Sequence, residues 1–461
     1  MQLHVDNATR KFTANLVPSP TPGVKARIPA NFATPWRVVL VSSNAAGLLN
    51  SKLILNLNEP NKIEDVSWIK PTKYVGIWWE MQIGKAAWSC ADSIGGKPHG
   101  RHGATTANAK KYIDFAAENG FNGVLVEGWN TGWEDWFGKW KEDVFDFQTP
   151  YPDYDLPGLA RYSKEKGAPL IIHHETSGAA TSYEKYNTAA FALMNRLGLH
   201  AIKSGYVGKI IPRGEWHDGQ WMVNHYNRVL EKAALSKVMV DAREPVRPTG
   251  LHRTWPNFMA CEAARGNEFN AFSRGNPPEH ETILPFTRLL GGPMDYTPGI
   301  FDIKFAAYSR DGHQVHTTVA KQLALYVTMY SPLQMAADLP ENYAGKPAFQ
   351  FIRDVALDWD DTKVLHAAIG DYLTIARKAK GTANWFVGSI TDEKARVLTV
   401  RLGFLEKGKL YEATIYDDAT DADWQKNPTA VRIRKLTVNQ ASVLKLTLAA
   451  GGGCAISILR K

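Results

Sequence analysis

The sequence predicts an α/β protein: a (β/α)8 barrel of the TIM type, followed by a C-terminal antiparallel β-domain and preceded by a short N-terminal β remnant. Three observations carry this. Apolar strand-like runs alternate with amphipathic helical stretches from about residue 70 to about residue 365. Glycines sit just past the ends of several of those helices, where a left-handed residue terminates a helix. From about Asp371 the pattern changes to short strands with period-two alternation. The boundaries that follow are 1–66 for the remnant, 67–368 for the barrel and 369–461 for the β-domain.

The barrel elements read in order. Tyr74-Val75-Gly76-Ile77-Trp78-Trp79 is a buried-strand run, and a helix over 108–119 follows, closed by Gly120. Gly123 to Glu127 is the second strand, with a helix over 156–166 closed by Gly167. Pro169 to Glu175 is the third, with a helix around 183–197 closed by Gly198. His200 to Lys203 precedes a helix around 221–235, and Lys237 to Ala242 is the fifth strand. Phe258 to Cys261 is a weaker sixth. Pro293 to Tyr296 is expected as the seventh, before a helix around 317–329, and Leu333 to Ala337 as the eighth. Continuous apolar strands covered by helices mean a parallel sheet, and eight units in about 300 residues fit a closed barrel. A GxGxxG after the first strand and a GxxxxGK[ST] loop are both absent, which removes support from nucleotide-binding α/β folds. In the β-domain, strands are expected at 385–390, 396–400, 411–416 and 443–448; the remnant is expected to hold one at Arg37 to Val41.

Composition bounds the function. Of 461 residues, 44% are hydrophobic and 22% charged, ordinary for a chain with a large core. The net charge of +8 invites nucleic acid. Its basic residues are interleaved with acidic ones, however, so no basic tract marks a nucleic-acid surface. Cys90, Cys261 and Cys454 have no zinc-type spacing and are too few for a disulfide framework. No stretch reads as a membrane span, and no signal peptide heads the chain. The chain holds 15 Trp. Trp88, Trp129, Trp133 and Trp136 are candidate sugar-stacking platforms, core filling being the alternative for each.

In such a barrel, chemistry sits where strands end. Glu127, the run His173-His174-Glu175, and Arg243-Glu244 all fall at predicted strand ends; Glu262 and Glu268 lie in and after the sixth strand. Glutamate is a poor strand former and costly to bury, so several at one rim point to one carboxylate-lined site. A single glutamate at a strand end also serves as a salt-bridge partner; the grouping is what carries weight. Glycoside hydrolysis needs such a group, one carboxyl protonated to donate to the leaving oxygen and another ionised to attack or to activate water. Carboxylate clusters also bind calcium. Adjacent strand residues face opposite sides, so His173 and His174 are a poor metal pair, whereas His173 and Glu175 share a face. Lys203, at the end of the fourth strand, pairs with these acids or contacts substrate.

Several long stretches resemble glycoside hydrolase family 97, a family of α-glucosidases and α-galactosidases. They include YVGIWWEMQIGK at 74–85, IIHHETSGAATSYE at 171–184, REPVRPTG at 243–250, RTWPNFMACEAARGNEFNAF at 253–272 and GGPMDYTPGIF at 291–301. The family fold, a barrel between an N-terminal β-sandwich and a C-terminal β-domain, agrees with the reading above. By resemblance, Glu175 and Glu244 activate water and Glu268 is the general acid of an inverting α-glucosidase. The resemblance also implies one calcium ion held by Glu244, Glu262 and Glu268, and substrate contacts from His173, Lys203 and Arg243. Retaining members place an aspartate nucleophile after the fourth strand, where this chain reads Lys203-Ser204-Gly205-Tyr206. Most of the N-terminal sandwich is expected to be missing, with a further calcium ligand. The implied partner is an oligosaccharide or small α-glycoside, and the implied location is periplasmic or otherwise exported. A retaining α-galactosidase, or a carbohydrate-binding barrel without catalysis, are the competing readings.

Overall fold

The computed structural model describes residues 2–309 and 311–461. Near the N-terminus, β1 (Gln2–Asp6) and β2 (Lys11–Asn15) form an antiparallel hairpin. The expected strand at Arg37 to Val41 is not formed. The segment is irregular, and Val39 and Val41 are 82% and 90% exposed. Its alternation has no partner strand among the described residues, and an isolated strand leaves its backbone groups unpaired. Two short helices, Ala45–Asn50 and Leu53–Asn56, lead to the barrel.

The barrel is a parallel sheet of seven strands: β3 (Thr72–Ile77), β4 (Gly123–Val126), β5 (Leu170–Glu175), β6 (Ala201–Gly205), β7 (Met239–Ala242), β8 (Phe258–Cys261) and β9 (Leu333–Ala336). The first six are neighbours in sequence order, and β9 closes back against β3. The expected seventh strand, Pro293 to Tyr296, is a correction. It stands in the gap between β8 and β9 but makes only a single parallel bridge, Met294 to Cys261. Asp295 N–H donates to the Cys261 carbonyl and Met294 N–H to the Tyr330 carbonyl, both at 3.0 Å. Pro293 has no N–H to give a ladder, and Arg288 sends its guanidinium to the carbonyls of Cys261, Glu262, Gly292 and Pro293 instead. The wall is therefore nearly closed, with a side-chain clamp in place of regular pairing.

The covering helices form where caps and patterning dictate. Thr105 accepts the Asn108 N–H to start Thr106–Glu118, which buries Ala109, Tyr112, Ile113 and Ala116 against the sheet. Asp155 caps Leu156–Glu165 in the same way through the Gly158 N–H. Ala180–Leu197 ends at Gly198, whose φ of 68° is the left-handed terminator the sequence called for. Gln220–Leu235 and Val319–Thr328 complete the major helices; the last, buried on every side, packs between the barrel and the C-terminal domain.

The antiparallel domain begins at Trp359, inside the stretch assigned to the barrel. Here β10 (Trp359–Ala368) pairs with β11 (Tyr372–Ala379) through a tight turn at Gly370. Then come β12 (Trp385–Thr391), β13 (Arg396–Arg401), β14 (Tyr411–Asp418), β15 (Val431–Val438), β16 (Val443–Leu448) and β17 (Gly453–Arg460). Six of them form one sheet, ordered β10-β11-β12-β17-β14-β15, and β13 pairs with β16.

Candidate active site

Strand parity places the chemistry. In β5, His174 turns outward to the helix Ala180–Leu197, where its Nδ1 meets the Tyr183 hydroxyl at 3.0 Å. His173 and Glu175 face inward. Parallel register sets His173 beside Lys203 and Glu175 beside Gly205, and Lys203 beside Asp241 on β7. The next residues along each strand end, Glu127, Arg243 and Glu262, bring their side chains to the same mouth.

Arg243 is the hub. Its guanidinium contacts Glu268, approaches Glu127 at 3.3 Å and Glu262 at 3.9 Å, and lies over the buried Trp78 ring at 6.0 Å. Burial works against its charge, but Glu268, Glu262, Glu244 and Glu127 outweigh it, so its pKa stands well above the usual arginine value. Glu268 also accepts from the Gln82 side chain at 3.1 Å. Glu127 accepts from the Trp88 indole at 3.1 Å and lies 3.7 Å from His173 Nε2; burial raises its pKa. His173 is held neutral, its pKa pushed well down by burial and by the Arg243 and Lys203 charges.

The two inner carboxylates stand on backbone donors. Glu175 accepts from Ser177 N–H at 2.7 Å and Val207 N–H at 3.3 Å. Glu244 accepts from Tyr206 N–H at 2.8 Å and holds a φ of 45°, a left-handed conformation that a side chain rarely adopts. Such strain persists where the surrounding structure fixes a residue, and it clusters at functional sites. Burial pushes the Glu175 carboxyl well above the usual range, and the Glu244 charge adds to this; burial raises Glu244 as well. Glu262 is likewise pushed well up, chiefly by burial. Below them, Lys203 is fully buried and pairs with Asp295 at 2.8 Å. Burial alone would discharge it, but Asp295 and Asp241 keep its pKa above the ordinary lysine value.

All seven sequence-derived site residues meet at this mouth: Glu175, Glu244, Glu262, Glu268, His173, Lys203 and Arg243. Oxygens of Glu244, Glu262 and Glu268 lie within 4.8 Å of one another. An all-carboxylate set of this kind suits a hard cation such as calcium and lacks the nitrogen or sulfur that zinc prefers. Gln82, Asp241 and Asp295 were not singled out from sequence. For Asp295 a signal existed, an acid in the middle of an apolar barrel segment. Of the proposed stacking platforms, Trp129 is corrected: it is buried and its indole donates to the His173 carbonyl at 2.8 Å. Trp133 is also buried, stacked between Trp88 and His173. Trp88 and Trp136 remain partly exposed. A cavity of about 520 Å³, bordered by Lys52, Tyr330 and Arg377, holds none of these carboxylates. The chemistry lies at the mouth.

A parallel barrel with its acids gathered at the C-terminal mouth, backed by an antiparallel β-domain, is the layout of the barrel glycosidases. The chain belongs to glycoside hydrolase family 97. The model described as Glycoside hydrolase 97 matches residues 78–264, that of the family's N-terminal region residues 2–60, and that described as C-terminal, oligomerisation, residues 358–459. A family 97 enzyme from Pseudoalteromonas sp. strain K8, solved with acarbose, is 48% identical with a TM-score of 0.86, over 91% of this chain and 65% of that one. A substituted family 97 enzyme from the same strain is solved with panose at the same similarity. A protein named retaining alpha-galactosidase from Bacteroides thetaiotaomicron is 30% identical over 93% of this chain and 60% of its own length. The chain thus spans about 60% of that curated relative.

Proposed function

We propose that this chain hydrolyses α-linked glycosides, α-glucosides foremost, with inversion at the anomeric carbon. Glu268 is the general acid to the glycosidic oxygen. Glu175 and Glu244 orient a water on the opposite face and take its proton. Lys203, His173 and Arg243 hold the sugar, Lys203 as an ammonium and His173 as a neutral ring. The observation that carries inversion is at Gly205. A retaining nucleophile after β6 would have to stand at Ser204 or Gly205, and the space above Gly205 is filled by the Glu175 carboxylate, 2.1 Å from where a Cβ would lie. The glucoside preference is supported by the 48%-identical enzyme solved with acarbose and panose, the latter an α-linked trisaccharide of glucose.

Glu244, Glu262 and Glu268 are the residues that would hold calcium. When bound, the ion would keep Glu244 and Glu262 ionised and fix the direction of all three side chains. The periplasmic or otherwise exported location is carried by family resemblance; no helix among the described residues is long and apolar enough to cross a membrane. The second reading, a retaining α-galactosidase, is favoured by the names of the Bacteroides relative and of a 29%-identical Streptomyces protein named probable retaining alpha-galactosidase. Parallel assays on 4-nitrophenyl α-glucoside and α-galactoside decide between them. Faster release from the glucoside is expected; release from the galactoside alone overturns the assignment, and release from neither leaves carbohydrate binding without catalysis as the answer.

A further inference from the structure

Outside the carboxylate cluster, a second group of metal-ligating side chains stands at the barrel rim. Cys90 and His102 come from the two legs of the loop between β3 and the helix Thr106–Glu118, and Asp153 comes from the turn before Leu156–Glu165. One ligand atom of each lies within 4.8 Å of the other two. The Cys90 Sγ is 3.9 Å from Asp153 Oδ2, and His102 Nδ1 is 2.9 Å from the same oxygen.

The ring of His102 is built into the rim. Its side chain is 3% exposed, and its Nε2 meets the Gly128 carbonyl at 2.9 Å. Nε2 donates to the Gly128 carbonyl, which leaves Nδ1, set against both Asp153 oxygens at 2.9 and 3.0 Å, as the atom a metal would take in place of a proton. This backbone-anchored imidazole is how a metal-bound histidine is commonly oriented. Gly128 is itself fixed, with φ at 77° and no room for a Cβ, which would meet the Trp88 carbonyl at 2.7 Å. Asp153 is 36% exposed, which leaves a path for an ion and a place for a water.

We propose that Cys90, His102 and Asp153 form a zinc site, with solvent as the fourth ligand. Sulfur, nitrogen and a single carboxylate suit a tetrahedral borderline-soft ion and not calcium. Tetrahedral bonds of about 2.0–2.3 Å require ligand atoms about 3.3–3.7 Å apart. Two of the three separations, 2.9 and 3.9 Å, reach this by shifts of a few tenths of an ångström, and the third, from Cys90 to His102, lies within 4.8 Å. On binding, the Cys90 thiol and the His102 Nδ1–H give their protons to solvent, and the thiolate and the freed Nδ1 take the metal. Without a cation that thiol is disfavoured from ionising, by burial first and then by the Asp153 and Glu134 charges. The same negative surroundings attract a divalent ion. The site would pin the loop carrying Trp88, whose indole holds Glu127, and so tie the rim to one wall of the active site.

The test uses the whole protein, stripped of metal, with zinc chloride and then cobalt chloride as probes. Native Cys90 is the only partly exposed thiol, Cys261 and Cys454 being buried. One equivalent of zinc should slow its alkylation at least tenfold. Cobalt should give a thiolate-to-metal charge-transfer absorption that Cys90→Ser lacks and Glu262→Gln keeps. In His102→Gln and Asp153→Asn the zinc affinity should fall at least tenfold. Unchanged alkylation with zinc in the wild-type protein, or a cobalt band that survives Cys90→Ser, overturns the proposal.

Discussion

Gly205 and Glu175 stand side by side in register, and the Glu175 carboxylate fills the place of a side chain on Gly205. A Cβ at 205 would meet Oε2 at 2.1 Å and the carboxyl carbon at 3.0 Å. The carboxylate is the end of a flexible side chain, so the fold accommodates the methyl and the carboxylate moves. Gly205→Ala should therefore lower kcat about 100-fold, the cost of a displacement near 1 Å in a catalytic group, with the thermal midpoint little changed. Wild-type turnover in that variant would mean Glu175 has no part in the reaction.

Calcium should be required for full activity. Three carboxylates within reach of one ion, two of them pushed up by burial, have one guanidinium among them to balance their charge. Exhaustive chelation should abolish most turnover, and calcium, but not zinc, should restore it. Glu262→Gln should weaken the calcium titration at least tenfold. Full activity after chelation, with metal content verified as zero, would remove calcium from the scheme.

Much of this site was legible in the sequence, for physical reasons that differ by residue. Strand parity alone separates His173 and Glu175 from His174, because the period of a strand is two and one face is the barrel interior. The helix end at Gly198 is legible as a glycine terminator. The hub role of Arg243 was not legible. It depends on Glu127 and Glu268, 116 and 25 residues away, meeting over Trp78. Nor was the failure of Pro293 to Tyr296 as a strand, where Pro293 has no N–H to give and the Met294 N–H goes to the Tyr330 carbonyl. Trp129 looked like a platform because loop aromatics often are. Its indole instead faces inward to the His173 carbonyl. Arg37 to Val41 shows that alternation without a partner strand decides nothing.

Stability should fall as the solution is acidified below neutrality, with His174 a main cause. Burial holds this ring down to about 3, against an unfolded value near 6.5. A histidine depressed in the fold contributes stability that is complete above the unfolded pKa and is lost as pH falls towards the folded one. Each such group costs about 1.4 kcal/mol per pH unit in that window, or about 3 kcal/mol between pH 6.5 and 4. His174→Phe should lower stability at pH 7 by about 1 kcal/mol, since Tyr183 loses its partner. It should also flatten the pH dependence by the contribution of one group. Denaturant titrations at half-unit intervals read both effects. An unchanged slope in the variant would show that the loss arises elsewhere.

The stereochemical outcome tests the assignment of roles most directly. Inversion needs a water between base and sugar and hence carboxyl groups about 6.5–9.5 Å apart, whereas retention needs about 5–5.5 Å and a nucleophile against the anomeric carbon. Here the proposed acid, Glu268, follows β8 and is held by Arg243 and Gln82. The base candidates, Glu175 and Glu244, follow β5 and β7 and are held on the N–H groups of Ser177, Val207 and Tyr206. Glu244 and Glu268 bring oxygens within 4.8 Å of each other, closer than an inverting acid and base stand, so Glu175, on its own N–H donors, is the carboxylate proposed to face the acid across the water. Proton NMR during hydrolysis of an α-glucoside should show β-glucose first, with α-glucose appearing only by mutarotation. Glu268→Gln should lose most turnover on a disaccharide yet retain more on a 4-nitrophenyl glycoside, because a good leaving group needs little protonation. Glu175→Gln should depress both substrates alike, since the water must be activated in either case. If α-glucose appears first, or if Glu175→Gln spares the disaccharide, Glu175 is not the base and the inverting scheme fails at its central step.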